Sequence, residues 1–95
     1  MTDLELYSSV LKELHELYKK KNEDYSSDGK STAEQMFELD GEHYFSTMLL
    51  QKALRIHSVV KSGSNNFESL QDSYKDIANY AIMALMYDKK LREQQ

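Results

Sequence analysis

The chain has no cysteine, no proline and no tryptophan, and only three glycines in 95 residues. Without cysteine there is neither a disulfide framework nor a thiolate zinc site. Without proline nothing forces a helix interior to break, and the scarcity of glycine suits long helices. No apolar run approaches the ~20 residues needed to cross a bilayer. The opening "MTDLELYSSV" lacks the basic-then-apolar pattern of a secretory signal. A cytoplasmic protein with no membrane contact is the expectation.

Positive charge is also short. Twelve Lys and Arg stand against sixteen Asp and Glu, a formal net charge of -4. Sequence-independent nucleic-acid binding needs a broad cationic surface, so direct contact with nucleic acid is excluded as the main activity. A small anionic ligand in a local basic pocket is not. A chain of this length makes one domain, residues 1–95, and buries only roughly 60–65% of its unfolded surface. Homo-oligomerisation is therefore an expected source of stability.

What the chain does have is helical periodicity. Leu4, Tyr7, Leu11, Leu14 and Tyr18 recur at three- and four-residue steps, widened by Val10 and Leu17, and predict a helix over 3–21. Thr2 or Asp3 can cap its start, and Lys19, Lys20 and Lys21 suit its negative end. "NEDYSSDGKST" (22–32) reads as a turn, with Gly29 free to take positive φ. Ser31 stands three residues before Glu34, a capping-box spacing that opens a short helix over 32–39. Asp40-Gly41 breaks it. A third helix is predicted over 42–61, with Phe45, Met48, Leu49, Ile56, Val59 and Val60 on its apolar side and Gly63 as a left-handed C-cap. The fourth, over 67–93, carries Phe67, Leu70, Tyr74, Ile77, Ala81, Leu85 and Leu91 as its stripe. The fold class expected is all-α, a small bundle of three long helices plus one short helix.

The short "SGSNN" connection makes the last two helices antiparallel neighbours. Folding the chain about Ser64–Asn65 brings Lys52 level with Asp76 and Arg55 level with Asp72. Asp72, Asp76 and Asn79 fall at i, i+4 and i+7, on one helix face. Two cations thus meet two carboxylates. The plainer reading is a set of structural ion pairs, worth about 0–1 kcal/mol when exposed. The functional reading is a small polar site in which Lys52 and Arg55 hold phosphate oxygens while Asp72 and Asp76 hold Mg²⁺.

Other polar groups carry less. Glu34, Glu38 and Glu42 read as a solvated acidic face. His15, His43 and His57 lack metal-ligand spacing. Most of the seven tyrosines fall in helices and read as core rings whose hydroxyls reach a partner. Tyr25 sits in a polar turn beside Asp24, where a ring either packs or stacks on a base.

Three blocks, "KKNEDY" (20–25), "LLQKALRIHSV" (49–59) and "DSYKDIANYAIMAL" (72–85), resemble the phage and bacterial family called nucleotide modification associated domain 1. That family is similar in turn to the all-helical nucleoside triphosphate pyrophosphatases of the MazG and dUTPase type. The resemblance implies a MazG-like helical bundle, often oligomeric, that binds a nucleotide or nucleotide-derived ligand between its helices in the cytoplasm of a phage host. Carried over residue by residue, it points to Lys21, Asn22, Asp24, Tyr25, Lys52, Arg55, Asn79 and Tyr80 for the nucleotide, and to Asp76 as well. The chemistry it implies is Mg²⁺-dependent pyrophosphohydrolysis. The sequence departs from the pyrophosphatases in having no E-x-x-E pair at the expected place, and its Asp72 and Asp76 are spaced by four rather than three. Ser26 stands where a glycine commonly follows the Asp-Tyr pair. These departures favour binding over turnover. The alternative is a non-enzymatic module, such as a phage inhibitor of a host or defence protein, acting through the Glu34–Glu42 region.

Overall fold

A computed structural model shows an all-α protein of four helices: α1 (Asp3–Tyr25), α2 (Thr32–Asp40), α3 (Glu42–Ser62) and α4 (Phe67–Glu93). It describes residues 1–25, 29–63 and 66–94, with the side chains of 23–25 not described; the side chains of Asp24 and Tyr25, together with Ser26 and the Ser64–Asn65 fold point, singled out above, lie outside the described residues. Three helices are long and one is short, as the periodicity predicts. The chain divides into two compact units, Met1–Thr32 and Ala33–Gln95.

The first unit consists essentially of α1. Its start is a capping box: the Glu5 backbone N–H donates to Thr2 Oγ1 at 3.1 Å, and the Glu5 carboxylate accepts from the Thr2 backbone N–H at 3.2 Å and its hydroxyl at 2.9 Å. Those two bonds from Thr2 hold the Glu5 carboxyl below its ordinary pKa. The helix runs four residues beyond Lys21, so Lys19–Lys21 lie before its last turn and not in it. Of the expected stripe, Leu14 is buried, whereas Leu4, Tyr7, Val10 and Leu11 are exposed. Their unit contains no second helix to cover them.

The second unit is built on α3 and α4. Gly63, at φ 69°, closes α3 with its N–H donating to the Val60 carbonyl, a conformation open to glycine at little cost. Asn66 Oδ1 then accepts the Ser69 N–H at 3.1 Å and caps α4. Contacts pair rising positions on α4 with falling positions on α3, so the two helices run antiparallel. At the other end, Gly41 at φ 63° turns α2 into α3, its N–H donating to the Phe37 carbonyl at 2.7 Å.

Phe45 is the centre of this unit, 1% exposed. Rings of Phe37, Tyr44, Tyr80 and Tyr87 surround it, with centroids 5.1–6.5 Å away. Ala33, Met83 and Ala84 complete the cluster. Beside it the Glu34 carboxylate meets Lys90 Nζ at 2.7 Å and ties α2 to α4. The expectation that Glu34 belongs to a solvated acidic face is thereby corrected: its side chain is only 12% exposed and its charge is paired with Lys90.

The stripe expected on α4 is corrected too. The side that packs on α3 carries Ser73, Asp76, Tyr80, Met83, Ala84 and Tyr87, while Phe67, Tyr74 and Leu85 are exposed. Aromatic rings bury about 150–250 Å² each and gain further from ring–ring geometry. Gathering four of them on Phe45 therefore sets the rotation of α4 ahead of its aliphatic residues. Phe45→Ala should lower the unfolding free energy by about 3–5 kcal/mol in urea titrations followed by circular dichroism.

Candidate functional site

Below the aromatic cluster, towards the Gly63 turn, α3 and α4 border an open polar cleft of about 330 Å³, lined by Lys52, Arg55, Asn66, Glu68, Ser69, Asp72, Ser73 and Asp76. The α4 contribution follows from spacing. "SLQDSYKD" (69–76) is a doubled Ser-x-x-Asp, and its serines and aspartates at i, i+3, i+4 and i+7 fall on one face. Lys52 and Arg55, at i and i+3, do the same on α3.

Lys52 Nζ lies 3.0 Å from Asp76 Oδ2, with the two side chains only 25% and 21% exposed. This is the pairing that the antiparallel register predicts. Arg55 behaves differently. Its Nη2 donates to the Ser69 hydroxyl at 3.0 Å, one turn before Asp72. The long side chain points along the helix towards the turn, so it passes Asp72. Asp72 is exposed, and among the described residues it makes no ion pair. The cleft thus contains one neutralised pair, one guanidinium held among the described residues only by a neutral hydroxyl, and two exposed carboxylates, Glu68 and Asp72.

Asp76 also connects the cleft to the core. Tyr80 lies one turn further along α4, and its ring stands 6.3 Å from that of Tyr44. Burial raises the Tyr80 pKa, the Tyr44 hydrogen bond lowers it, and the Asp76 carboxylate raises it again. Tyr44 is pushed up to about 12, first by burial, then by the neighbouring Tyr80 and the hydrogen bond to it. The two hydroxyls are thus bonded to each other inside the cluster. Lys52, Asp76, Tyr80 and Tyr44 form a polar line running from cleft to core.

Of the residues that sequence reasoning assigned to a site, Lys52, Arg55, Asp72 and Asp76 are brought together. Asn79 is buried, and Tyr80 belongs to the aromatic cluster; neither lines the cleft. Lys21 and Asn22 lie in the other unit, and the side chains of Asp24 and Tyr25 lie outside the described residues. Sequence reasoning missed Asn66, Glu68, Ser69 and Ser73. The signals were present: Asn66 three residues before Ser69 is a cap spacing, and the doubled Ser-x-x-Asp repeats at a helical interval. Among the described residues no group of three or more His, Asp or Glu side chains is placed to hold a metal ion.

The Tyr44 shift has a consequence at alkaline pH. A phenol whose pKa is raised on folding favours the protonated native state. That stabilisation is complete below the ordinary value of 10.0 and is lost as pH rises towards about 12. Urea midpoints should fall across this interval, and a late-titrating tyrosinate signal should be missing from Tyr44→Phe.

Neither the curated proteins nor the solved structures searched gave a match to the chain. No described helix is long and apolar enough to cross a membrane. Residues 42–87, which span the whole of α3, the cleft and α4 as far as Tyr87, match the family model described as nucleotide modification associated domain 1.

Proposed function

We propose that the α3–α4 cleft binds a nucleotide or nucleotide-derived ligand, with a single phosphate group at its Arg55 end. The observation that carries this reading is the state of Arg55, which borders the cleft and, among the described residues, is bonded only to the Ser69 hydroxyl. A guanidinium without a carboxylate partner can take two oxygens of one phosphate in a bidentate pair. Lys52 is already committed to Asp76 and acts mainly to hold that carboxylate in place. Asp72 faces solvent on the same side and can accept hydrogen bonds from ribose hydroxyls. Tyr80 stands one turn behind Asp76 on α4, next to that carboxylate.

Charge limits the ligand further. The lining carries two cations and three carboxylates, Glu68, Asp72 and Asp76. With three carboxylates against two cations, the lining opposes a bare triphosphate most and a singly charged phosphodiester least. Mg²⁺ enters this reading as an ion that arrives with a polyphosphate. Asp72 and Asp76 offer it two carboxylates, and the ligand's own oxygens the remainder, which is the usual way this ion is held. Binding by a phage-encoded MazG-like protein in the host cytoplasm is the biological setting that fits. The acidic alternative rests on Glu38, which is exposed next to the exposed Leu39, and would present that corner to a protein partner.

A thermal-shift panel of nucleoside mono-, di- and triphosphates and cyclic dinucleotides, with and without Mg²⁺, tests the proposal. A specific ligand at a hundredfold excess over its Kd should stabilise by about 2.7 kcal/mol. Arg55→Ala should weaken it by roughly ten- to a hundredfold with helical content unchanged, the scale of a charged hydrogen-bonding group lost. Phosphate or pyrophosphate release from the same mixtures reads any turnover. No shift across the panel, or equal affinity in Arg55→Ala, overturns the assignment and favours a protein partner.

A further inference from the structure

Among the described residues, every side chain that lines the cleft is polar or charged. Sites that hold a flat heterocycle are lined mainly by apolar and aromatic groups, because a base gains most from stacking. The rings gathered on Phe45 pack on one another, and Phe67 and Tyr74, exposed on α4, do not line the cleft. A sugar phosphate makes the opposite demand. It offers one anion and a row of hydroxyls, and it needs donors and acceptors throughout.

The order of groups on α4 suits that shape. Arg55 meets α4 at Ser69. The Ser69 hydroxyl accepts from the guanidinium and keeps its own proton to give, so the two groups can bind oxygens of one phosphate. Asn66 caps the helix through Oδ1, and its amide N–H groups are available beside them. Asp72 stands three residues, or about 4.5 Å, further along the axis. Counted round the helix at about 100° per residue, Ser69 and Ser73 lie on the α3 side of Asp76, and Asp72 lies about 40° on the other. Ser69 is thus at the floor of the cleft and the exposed Asp72 at its rim. A pentose carries its phosphate and its secondary hydroxyls at a separation of this order. An ionised carboxylate only accepts, and its two oxygens match the two O–H donors of a vicinal diol. The volume of about 330 Å³ is near the lower end of ligand sites, about 300–1,000 Å³. It takes a phosphate and a sugar and leaves little room for a base.

We propose that the cleft recognises the ribose 5-phosphate part of its ligand: Arg55 and Ser69 take the phosphate, Asp72 takes the vicinal hydroxyls, and the base stays beyond the rim. The substrate class is a ribosyl monophosphate, with or without a base. Asp72 is the residue that selects ribose over 2-deoxyribose. This rests on the phosphate-binding reading above and specifies what else that ligand must carry.

Isothermal titration calorimetry of the full chain tests it, with ribose 5-phosphate, 2-deoxyribose 5-phosphate, and the 5′-monophosphates of adenosine, cytidine, uridine and 2′-deoxyadenosine. Ribose 5-phosphate and the three ribonucleotides should bind within about fivefold of one another, less than one base stack contributes. Each deoxy ligand should bind roughly tenfold or more weakly than its ribo counterpart, the scale of one hydrogen bond to a charged group. Asp72 is exposed, so Asp72→Ala can fold, as helical circular dichroism checks. In that variant the ribo-to-deoxy ratio should fall to near one, and this ratio does not respond to a general change of charge at the site. Nucleotides that bind where ribose 5-phosphate does not, or a ribo preference that survives Asp72→Ala, overturn this inference and leave the phosphate reading standing. No binding by any of these ligands overturns both.

Discussion

The packing of aromatic rings on Phe45 is the interaction on which the second unit depends. Phe37 reaches it from α2, Tyr44 from α3 itself, and Tyr80 and Tyr87 from α4. Among the described residues Phe45 is the largest side chain removed from solvent, and few others are buried beside it. Three of those rings carry hydroxyls. The Tyr44–Tyr80 bond satisfies two of them inside the cluster, and this allows tyrosine to serve where phenylalanine would otherwise be needed.

The same packing creates the cleft. Once Tyr80 and Tyr87 face Phe45, the residues above them in helical register are Asp76, Ser73 and Ser69, and these must face α3 as well. They are too small and too polar to fill the space between the helices, so a solvent-filled gap results. Lys52 answers Asp76 because a carboxylate three-quarters covered is costly without a counter-charge. Arg55 lies a turn further out, where water and a hydroxyl suffice to solvate it. The difference between the two cations is thus a difference in depth.

Helix positions were legible in the sequence because they are decided locally. The bounds of α3 and α4, the break at Gly41 and the left-handed cap at Gly63 follow from periodicity, turn chemistry and capping groups within a few residues of each other. The meeting of Lys52 with Asp76 was legible too, since a short connection admits one antiparallel register. Which face of α4 turns inward was not. Hydropathy favours Phe67, Tyr74 and Leu85, yet tyrosines and small polar residues take that place. The decision rests on ring packing among residues from three helices, and no window of a single helix contains that information. The attachment of Arg55 to Ser69, the Tyr44–Tyr80 bond and the pairing of Glu34 with Lys90 follow from the same rotation. Only the tertiary structure could decide them, because each depends on how far one helix is turned about its axis relative to another.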